Sequence, residues 1–303
     1  METAAGDQIG TFSNQPELDG VERPAIRWLE ALGYTHLPGS EVGQQQEHRH
    51  LPPLLTDILR DRLLHLNPWL ADVSGGVETA LREVRQFGAG FASAAFSSEP
   101  LMTANEAFWQ NVVHQGNLQV KDEQGRLRSL RFFNPDKVSD NRFHVVDQYV
   151  GSNSEGDLFR PDLLLFVNGI PLAVIECKAS HVKVSQGIRQ LLAYQNSHPR
   201  HFLYNQVCVA INRNEALYGA IFTPEAFYLR YRLEPAEEAS LVEKAALRSD
   251  ALTEQDRLLW ALFEPSRFLQ LVTHFVLFEL DDGRTIKKLP RYQQWRAVCK
   301  TLT

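Results

Sequence analysis

RPDLLLFVNGIPLAVIECKASHVKVSQGIRQLLAY, residues Arg160 to Tyr194, holds two apolar runs joined by Asn168-Gly169. Leu163 to Val167 and Leu172 to Ile175 read as strands covered on both faces, because neither alternates with polar residues. Asn-Gly between such runs is the strongest short-range signal for a hairpin. Asp162 then stands at the head of the first strand, and Glu176 and Lys178 at the tail of the second. A helical pattern follows, from about Ser185 to Asn196.

Strand parity makes this reading testable. Glu176 and Lys178 are two apart and share a face, while Ile175 and Cys177 point the other way. A strict two-residue turn pairs Val167 with Ile170, and therefore Asp162 with Ile175, which sends Asp162 to the wrong face. Bringing Asp162 opposite Glu176 requires one extra residue, either in the turn or as a bulge. An irregularity in the hairpin is therefore expected. Two carboxylates and a lysine at one end of a buried hairpin can hold a divalent cation and position a water, which suits phosphodiester hydrolysis. The bland alternative is a pair of solvated strand ends, since Pro-Asp turns and E-x-K triplets are common.

At these residues the chain resembles the nuclease domain of the restriction (R) subunit of type I restriction–modification systems, within the PD-(D/E)xK nuclease superfamily. Pro161-Asp162 and Glu176-Cys177-Lys178 carry the core pattern, and RPDLLLFVNGIPLAVIECK as a whole is similar to the family's signature segment. Gln190 and Tyr194 match a Q-x-x-x-Y element, and weaker echoes follow in Phe202 to Asn205 and in Arg291 to Val298. The pattern runs over most of the chain from about Ala25 onward. The resemblance implies that Asp162 and Glu176 ligate magnesium, with manganese as a substitute, and that the Cys177 backbone carbonyl is a further donor. It implies that Lys178 orients the attacking water and offsets charge on the phosphate. Magnesium suits such a sparse set of oxygen ligands. Cys177 stands where the family more usually has an aliphatic residue, and its side chain reads as a small buried hydrophobe.

Gln190 and Tyr194 are helix neighbours four apart and lie off the apolar stripe of Ile188, Leu191 and Leu192. The resemblance gives them a part in placing DNA or the metal site; partial burial is the ordinary alternative for the tyrosine. Many relatives also use an acidic residue from the first helix. Glu22 fits by its distance to Leu32-Gly33-Tyr34, and Glu17 is the rival.

Composition bounds the remainder. The 303 residues are 44% hydrophobic and 22% charged, ordinary for a globular protein with one large core or two modest ones. No apolar run approaches a membrane span, and METAAGDQIG lacks the basic and apolar regions of a secretory signal. The three cysteines, Cys177, Cys208 and Cys299, are scattered, which favours neither a disulfide framework nor a zinc site. His48-x-His50 lacks partners for zinc. A cytoplasmic protein is expected, with no membrane partner. The net charge of −6 argues against broad DNA coating but leaves room for a local basic patch. Its candidates are Lys121, Arg126, Arg128, Arg131, Lys178, Lys183 and Arg189.

The expected fold class is α/β: a PD-(D/E)xK restriction-endonuclease-like core, a mixed central sheet flanked by helices, with a helical N-terminal region and a C-terminal helical linker. Residues 1–232 form the nuclease domain, helical to about 115 and mixed-sheet from about 116. Helices are expected at Arg23 to Leu32, Thr56 to Leu66, Gly76 to Gln86 and Asn105 to Gln115. Strands are expected at Leu118 to Lys121, Leu127 to Phe133, Phe143 to Val150, Gln206 to Ile211 and Gly219 to Phe222. Residues 233–249 read as exposed helix or linker, with further helices at Glu254 to Phe263 and Ser266 to Leu280.

The tail from Ile286 to Thr303 resembles the start of the helicase motor of R subunits. Gln294, or alternatively Gln293, matches a glutamine that in superfamily 2 motors reads the adenine of ATP; a basic amphipathic helix is the plainer reading. No G-x-x-x-x-G-K-[ST] occurs, so ATP is expected to serve only the full-length protein. The resemblance implies a type I deoxyribonuclease whose partners are double-stranded DNA and the methyltransferase and specificity subunits. Cleavage would follow ATP-driven translocation. The competing readings are a stand-alone repair or recombination nuclease and an inactive docking module of the restriction complex.

Overall fold

A computed structural model describes residues 17–42, 49–87, 98–114, 116–245 and 252–302. Its centre is a mixed sheet of β1 (Thr35–Pro38), β2 (Phe143–Asp147), β3 (Leu163–Val167), β4 (Ile170–Cys177), β5 (Val207–Ile211) and β6 (Ala216–Gly219). These strands lie side by side in chain order. The β1–β2 and β4–β5 pairs are parallel and the other three antiparallel. The helix Val184–Ser197 makes the crossover that the parallel β4–β5 pair needs.

Every residue of β3 and β4 is buried, as their unbroken apolar runs require. Val167 pairs with Ile170, so the turn is a strict two-residue one, with Asn168 (φ 52°) and Gly169 (φ 84°) both left-handed. The register then shifts: Phe166 pairs with Pro171, but Leu165 pairs with Ala173. The expected irregularity is thus a bulge at Leu172. Pro171 has no N–H to give the ladder, which makes it a natural place for the break. Leu172 and Ala173 both pack with Leu163 and Leu165, whereas Val174 rejoins Leu164 on the other side. That one extra residue restores parity, so Asp162 and Glu176 follow Leu164 and Val174 onto one face.

Two apolar layers cover the sheet. Val184, Ile188 and Leu191 of the crossover helix pack on Leu164, Phe166 and Val174. The opposite layer joins Trp28 and Leu29 of the helix Arg23–Ala31 to Leu259, Phe263 and Phe268 of the helices Glu254–Phe263 and Pro265–His274. Residues on both sides of position 232 therefore share one core. Pro24 opens the first of these helices, where its missing N–H costs nothing. A capping box between Thr253 and Asp256 starts the second.

Several expected elements are corrected. The strand placed at Gly219 to Phe222 ends at Gly219, because Phe222 turns left-handed (φ 56°) and its N–H donates to Gln195 Oε1 at 2.6 Å. The helix placed at Ser266 to Leu280 stops at His274; Leu277–Asp281 is a strand paired with Arg284–Lys288 across Asp282-Gly283. Both turn residues have positive φ, the conformation that Asp-Gly favours. The strand from Leu127 ends at Ser129, since Asn67 takes both backbone groups of Arg131 at 2.8 Å. The helix expected from Asn105 starts at Ser98, and from Trp109 to His114 it widens into a π-turn. Within 233–249, Pro235–Ala245 is helical and buries Leu241. Of the expected basic patch, Arg126 pairs with Asp122, Arg189 pairs with Glu225, and Arg128 stacks on Trp69. His48 lies outside the described residues. Among the described residues, no helix is long and apolar enough to cross a membrane.

The hairpin turn carries the first prediction. A Cβ on Gly169 would lie 2.6 Å from Leu55 O and 2.8 Å from Leu59 N, both fixed backbone. Gly169→Ala should therefore combine a left-handed penalty of about 1–2 kcal/mol with overpacking of about 1–3 kcal/mol. Urea denaturation would read this, and an unchanged midpoint would show that the helix Thr56–Leu66 moves freely off the turn.

Buried histidines predict acid sensitivity. His201 packs on Phe159 at 4.6 Å between ring centroids and bonds Arg49 O at 3.0 Å. Burial pushes its pKa from 6.5 down to about 3, and burial lowers His144 to about 4. As pH falls below 6.5, the unfolded chain binds protons that the folded chain refuses. Their contribution is therefore complete above pH 6.5 and drains away toward pH 3, a loss of a few kcal/mol at roughly 1.4 per unit. His201→Phe should flatten the fall in urea midpoint between pH 7 and 5, and a parallel fall in both proteins would refute it.

Candidate active site

The bulge and the ends of β3 and β4 bring Asp162, Glu176 and Lys178 into one buried cluster. Asp162 is 9% exposed, Glu176 1% and Lys178 9%. Asp162 Oδ2 accepts the Cys177 N–H at 2.7 Å, which ties the two strand ends together. Lys178 Nζ donates to Glu176 Oε1 and to the Cys177 carbonyl, both at 2.8 Å. The Cys177 side chain points into the opposite core layer, as parity requires.

The first helix adds carboxylates, and both candidates arrive. Arg23 N–H reaches back five residues to Leu18 O, a π-turn that ends at Glu22. Such turns occur often at functional sites. Glu22 is buried, and Gln148 Nε2 donates to its Oε2 at 3.0 Å. Glu17 accepts the Ala179 N–H at 3.2 Å and lies 3.7 Å from Lys178 Nζ.

Crowding shifts Asp162, Glu176, Lys178 and Glu22. Burial, then the charge of Asp162, raises Glu176 well above the usual carboxylate range. Burial also raises Asp162, against the opposing Cys177 N–H and the charge of Lys178. Burial lifts Glu22 to about 7, with Asp162 adding to it and Gln148 opposing. Burial alone would lower Lys178, but the charges of Glu176, Asp162 and Glu17 outweigh it and hold the ammonium. One lysine therefore faces an excess of carboxylate.

Among the described residues, Glu176 Oε2 and Glu22 Oε1 are buried with no hydrogen-bond partner. Buried oxygens without donors are costly unless something positive completes them. The carboxylates of Asp162 and Glu176 and the Cys177 carbonyl are hard oxygen donors, which suit magnesium better than a softer metal. Among the described residues no three His, Cys, Asp or Glu side chains group around a metal position. The donor set is sparse, and it fits a hard divalent cation that keeps its own water.

Gln190 and Tyr194 stand beside this cluster. Gln190 Nε2 donates to Tyr194 Oη at 3.5 Å, and that hydroxyl donates to Arg160 O at 3.3 Å, on the segment leading into Asp162. Tyr194 is half-buried, edge-on to Phe159 at 5.1 Å. Gln294 is elsewhere. Its Oε1 accepts the Arg291 N–H at 2.8 Å, and it lines a cavity of about 1240 Å³ whose walls include Met102, Phe222 and Lys287.

Two residues were missed. Gly187 sits mid-helix where a Cβ would lie 3.4 Å from Glu176 Cγ and 3.5 Å from Lys178 Cγ. A glycine inside a helical pattern was the available signal for such close packing. Gln148 has φ 47° and links Glu22 to the Asp162 backbone, and nothing in its sequence context marks it.

Residues 14–227 match the family described as type I restriction enzyme R protein N terminus. The type I restriction enzyme HindI endonuclease subunit of Haemophilus influenzae is 24% identical over 287 residues, 92% of this chain and 26% of that protein. The putative type I restriction enzyme MjaIXP endonuclease subunit of Methanocaldococcus jannaschii is 22% identical over 299 residues, 93% of this chain and 27% of its own length. From the same organism, the putative MjaVIIIP endonuclease subunit is 30% identical over 179 residues, 58% of this chain and 16% of that one. The chain thus spans about a quarter of the first two relatives.

Proposed function

We propose that this chain, which belongs to the family of type I restriction enzyme R protein N termini, is the DNA-cleaving part of a restriction endonuclease subunit. Its acidic hairpin end would be a magnesium-dependent PD-(D/E)xK nuclease site. The observation that carries this reading is the β4 bulge, which turns Asp162, Glu176 and Lys178 to one face and leaves Glu176 Oε2 buried and, among the described residues, unpartnered. A plain solvated strand end has no need of either feature.

Asp162, Glu176 and the Cys177 carbonyl would hold the cation, with manganese as a substitute. Magnesium bound there would polarise the scissile phosphate and make a bound water more acidic. Lys178 supplies the complementary charge. Its Nζ already rests on two of the proposed donors, so a short swing of a flexible stem would present the ammonium to the attacking water and a phosphate oxygen. The Cys177 N–H holds Asp162 Oδ2 and leaves Oδ1 for the ion. Tyr194 and Gln190 would steady the Arg160 segment where DNA passes.

Residues 1–232 would carry the nuclease site, and 233–303, whose helices share its core, would lead into a helicase motor. ATP-driven translocation by that motor would deliver double-stranded DNA, and methyltransferase and specificity subunits would choose the site. Gln294 could read adenine only by releasing the Arg291 N–H it now accepts. Cleavage of supercoiled plasmid with magnesium or manganese tests the proposal, comparing wild type with Lys178→Ala in the chain and in the assembled enzyme. Equal cutting by both proteins in the assembled enzyme would remove the site from the reaction.

A further inference from the structure

We infer that Gln148 is a positioning residue that clamps the first helix onto the hairpin, aiming Glu22 at the site of Asp162 and Glu176. The inference rests on the proposed metal site. It adds a residue with no place in the P-D…E-x-K or Q-x-x-x-Y patterns.

The backbone at Gln148 is uncommon and held from three directions. A non-glycine residue at φ 47° carries strain, and such strain persists where surroundings over-determine it. Gln148 N–H donates to Asp162 O at 2.9 Å. On the other side Gly39 presses against the same peptide; a Cβ there would lie 2.1 Å from Asp147 O and 2.7 Å from Gln148 O. Asp147 is itself held, because its Oδ1 accepts the Gly39 N–H at 3.1 Å and lies 3.1 Å from His36 Nε2. β1, β2 and the Asp162 segment thus fix where the Gln148 side chain starts.

The side chain then makes a selective contact. Its amide donates to Glu22 Oε2 at 3.0 Å, while Glu22 Oε1 is buried without a partner among the described residues. A neutral donor suits this position. It orients one oxygen without adding a positive charge that would compete with a cation for the other. One residue therefore fixes Asp162 through its main chain and Glu22 through its side chain. Gln148 thereby holds the main chain of Asp162, a proposed donor, and the carboxylate next to it; partners one step behind a metal donor typically set metal affinity by 10–100-fold.

The test is a double-mutant cycle on manganese affinity, measured by calorimetry on the 303-residue chain without DNA. Gln148→Asn is the informative change, since asparagine tolerates the left-handed backbone but is one methylene too short to reach Glu22. It should weaken manganese binding about tenfold with the melting temperature unchanged. Glu22→Gln should weaken it similarly, and the double variant should bind no worse than Glu22→Gln alone. Additive losses, or unchanged affinity in Gln148→Asn, would overturn the role of Gln148 and leave the metal site standing. Wild type that takes up no manganese, or Asp162→Asn that binds it normally, would bring down the metal-site reading and this inference together.

Discussion

Asp162→Asn, Glu176→Gln and Lys178→Ala are each expected to lose DNA cleavage without losing the fold. Removing one preorganised electrostatic group from a catalytic site costs about 10²–10³-fold in rate, which is the scale expected for Lys178→Ala. The two carboxylate changes should cost more, because each strips a donor from a proposed cation site that has few. Their effect on stability should run the other way. Glu176 is 1% exposed, and one of its oxygens has no partner among the described residues. Exchanging that carboxylate for a neutral amide relieves a buried like-charge pair while the amide oxygen still accepts from Lys178 in place of Oε1, so the melting temperature of Glu176→Gln without metal should match or exceed wild type. Lys178→Ala leaves Glu176 without its ion pair, and circular dichroism must show its fold retained before the cleavage result is read. Cleavage near the wild-type rate in any one variant would take that residue out of the chemistry. A fall in stability for Glu176→Gln would mean that the carboxylate is a structural anchor.

Much of this site was legible because period-two patterning is strict. Alternation placed Glu176 and Lys178 together, and the parity conflict with Asp162 demanded one extra residue. The turn and the bulge were equivalent by counting; Pro171, lacking an N–H, decides between them by breaking the ladder. The sequence favoured Glu22 over its rival Glu17, and the π-turn brings both to the cluster. Gln148 was illegible because positive φ in a glutamine is imposed by Gly39 and Asp162, both distant in sequence. The C-terminal errors have a local cause. Helical spacing was extended through Leu280, although Asp282-Gly283 was as clear a hairpin signal as Asn168-Gly169. β1 is four residues long and only half-buried, so its pattern is too short to declare a strand.

Lys287→Met is expected to destabilise the fold by about 2–4 kcal/mol and to loosen the bulge from a distance. Lys287 is 4% exposed and, among the described residues, has no carboxylate partner. Its Nζ donates to Asn105 Oδ1 at 2.7 Å, Asn205 O at 3.1 Å and Gln206 Oε1 at 2.6 Å, and lies 5.2 Å from the centre of the Phe278 ring. Burial pushes its pKa down, while three acceptors match the three N–H groups of an ammonium and oppose that shift. Methionine keeps most of the apolar stem and removes the cost of burying a charge. It also leaves two amide oxygens buried without donors, at about 1–3 kcal/mol each, which is why a net loss is expected. The consequence reaches the hairpin because Gln206 N–H donates to Leu172 O, the bulge residue, at 2.7 Å. Lys287 thus clasps the C-terminal hairpin to the residue that secures the β4 irregularity. Hydrogen exchange should show faster exchange at Gln206 and through the adjoining part of β4 in Lys287→Met, with the helix Arg23–Ala31 unaffected. Faster exchange confined to Leu277–Lys288 would mean that the lysine anchors only the tail. Wild-type stability would mean that the cost of burying the charge equals everything its three hydrogen bonds return.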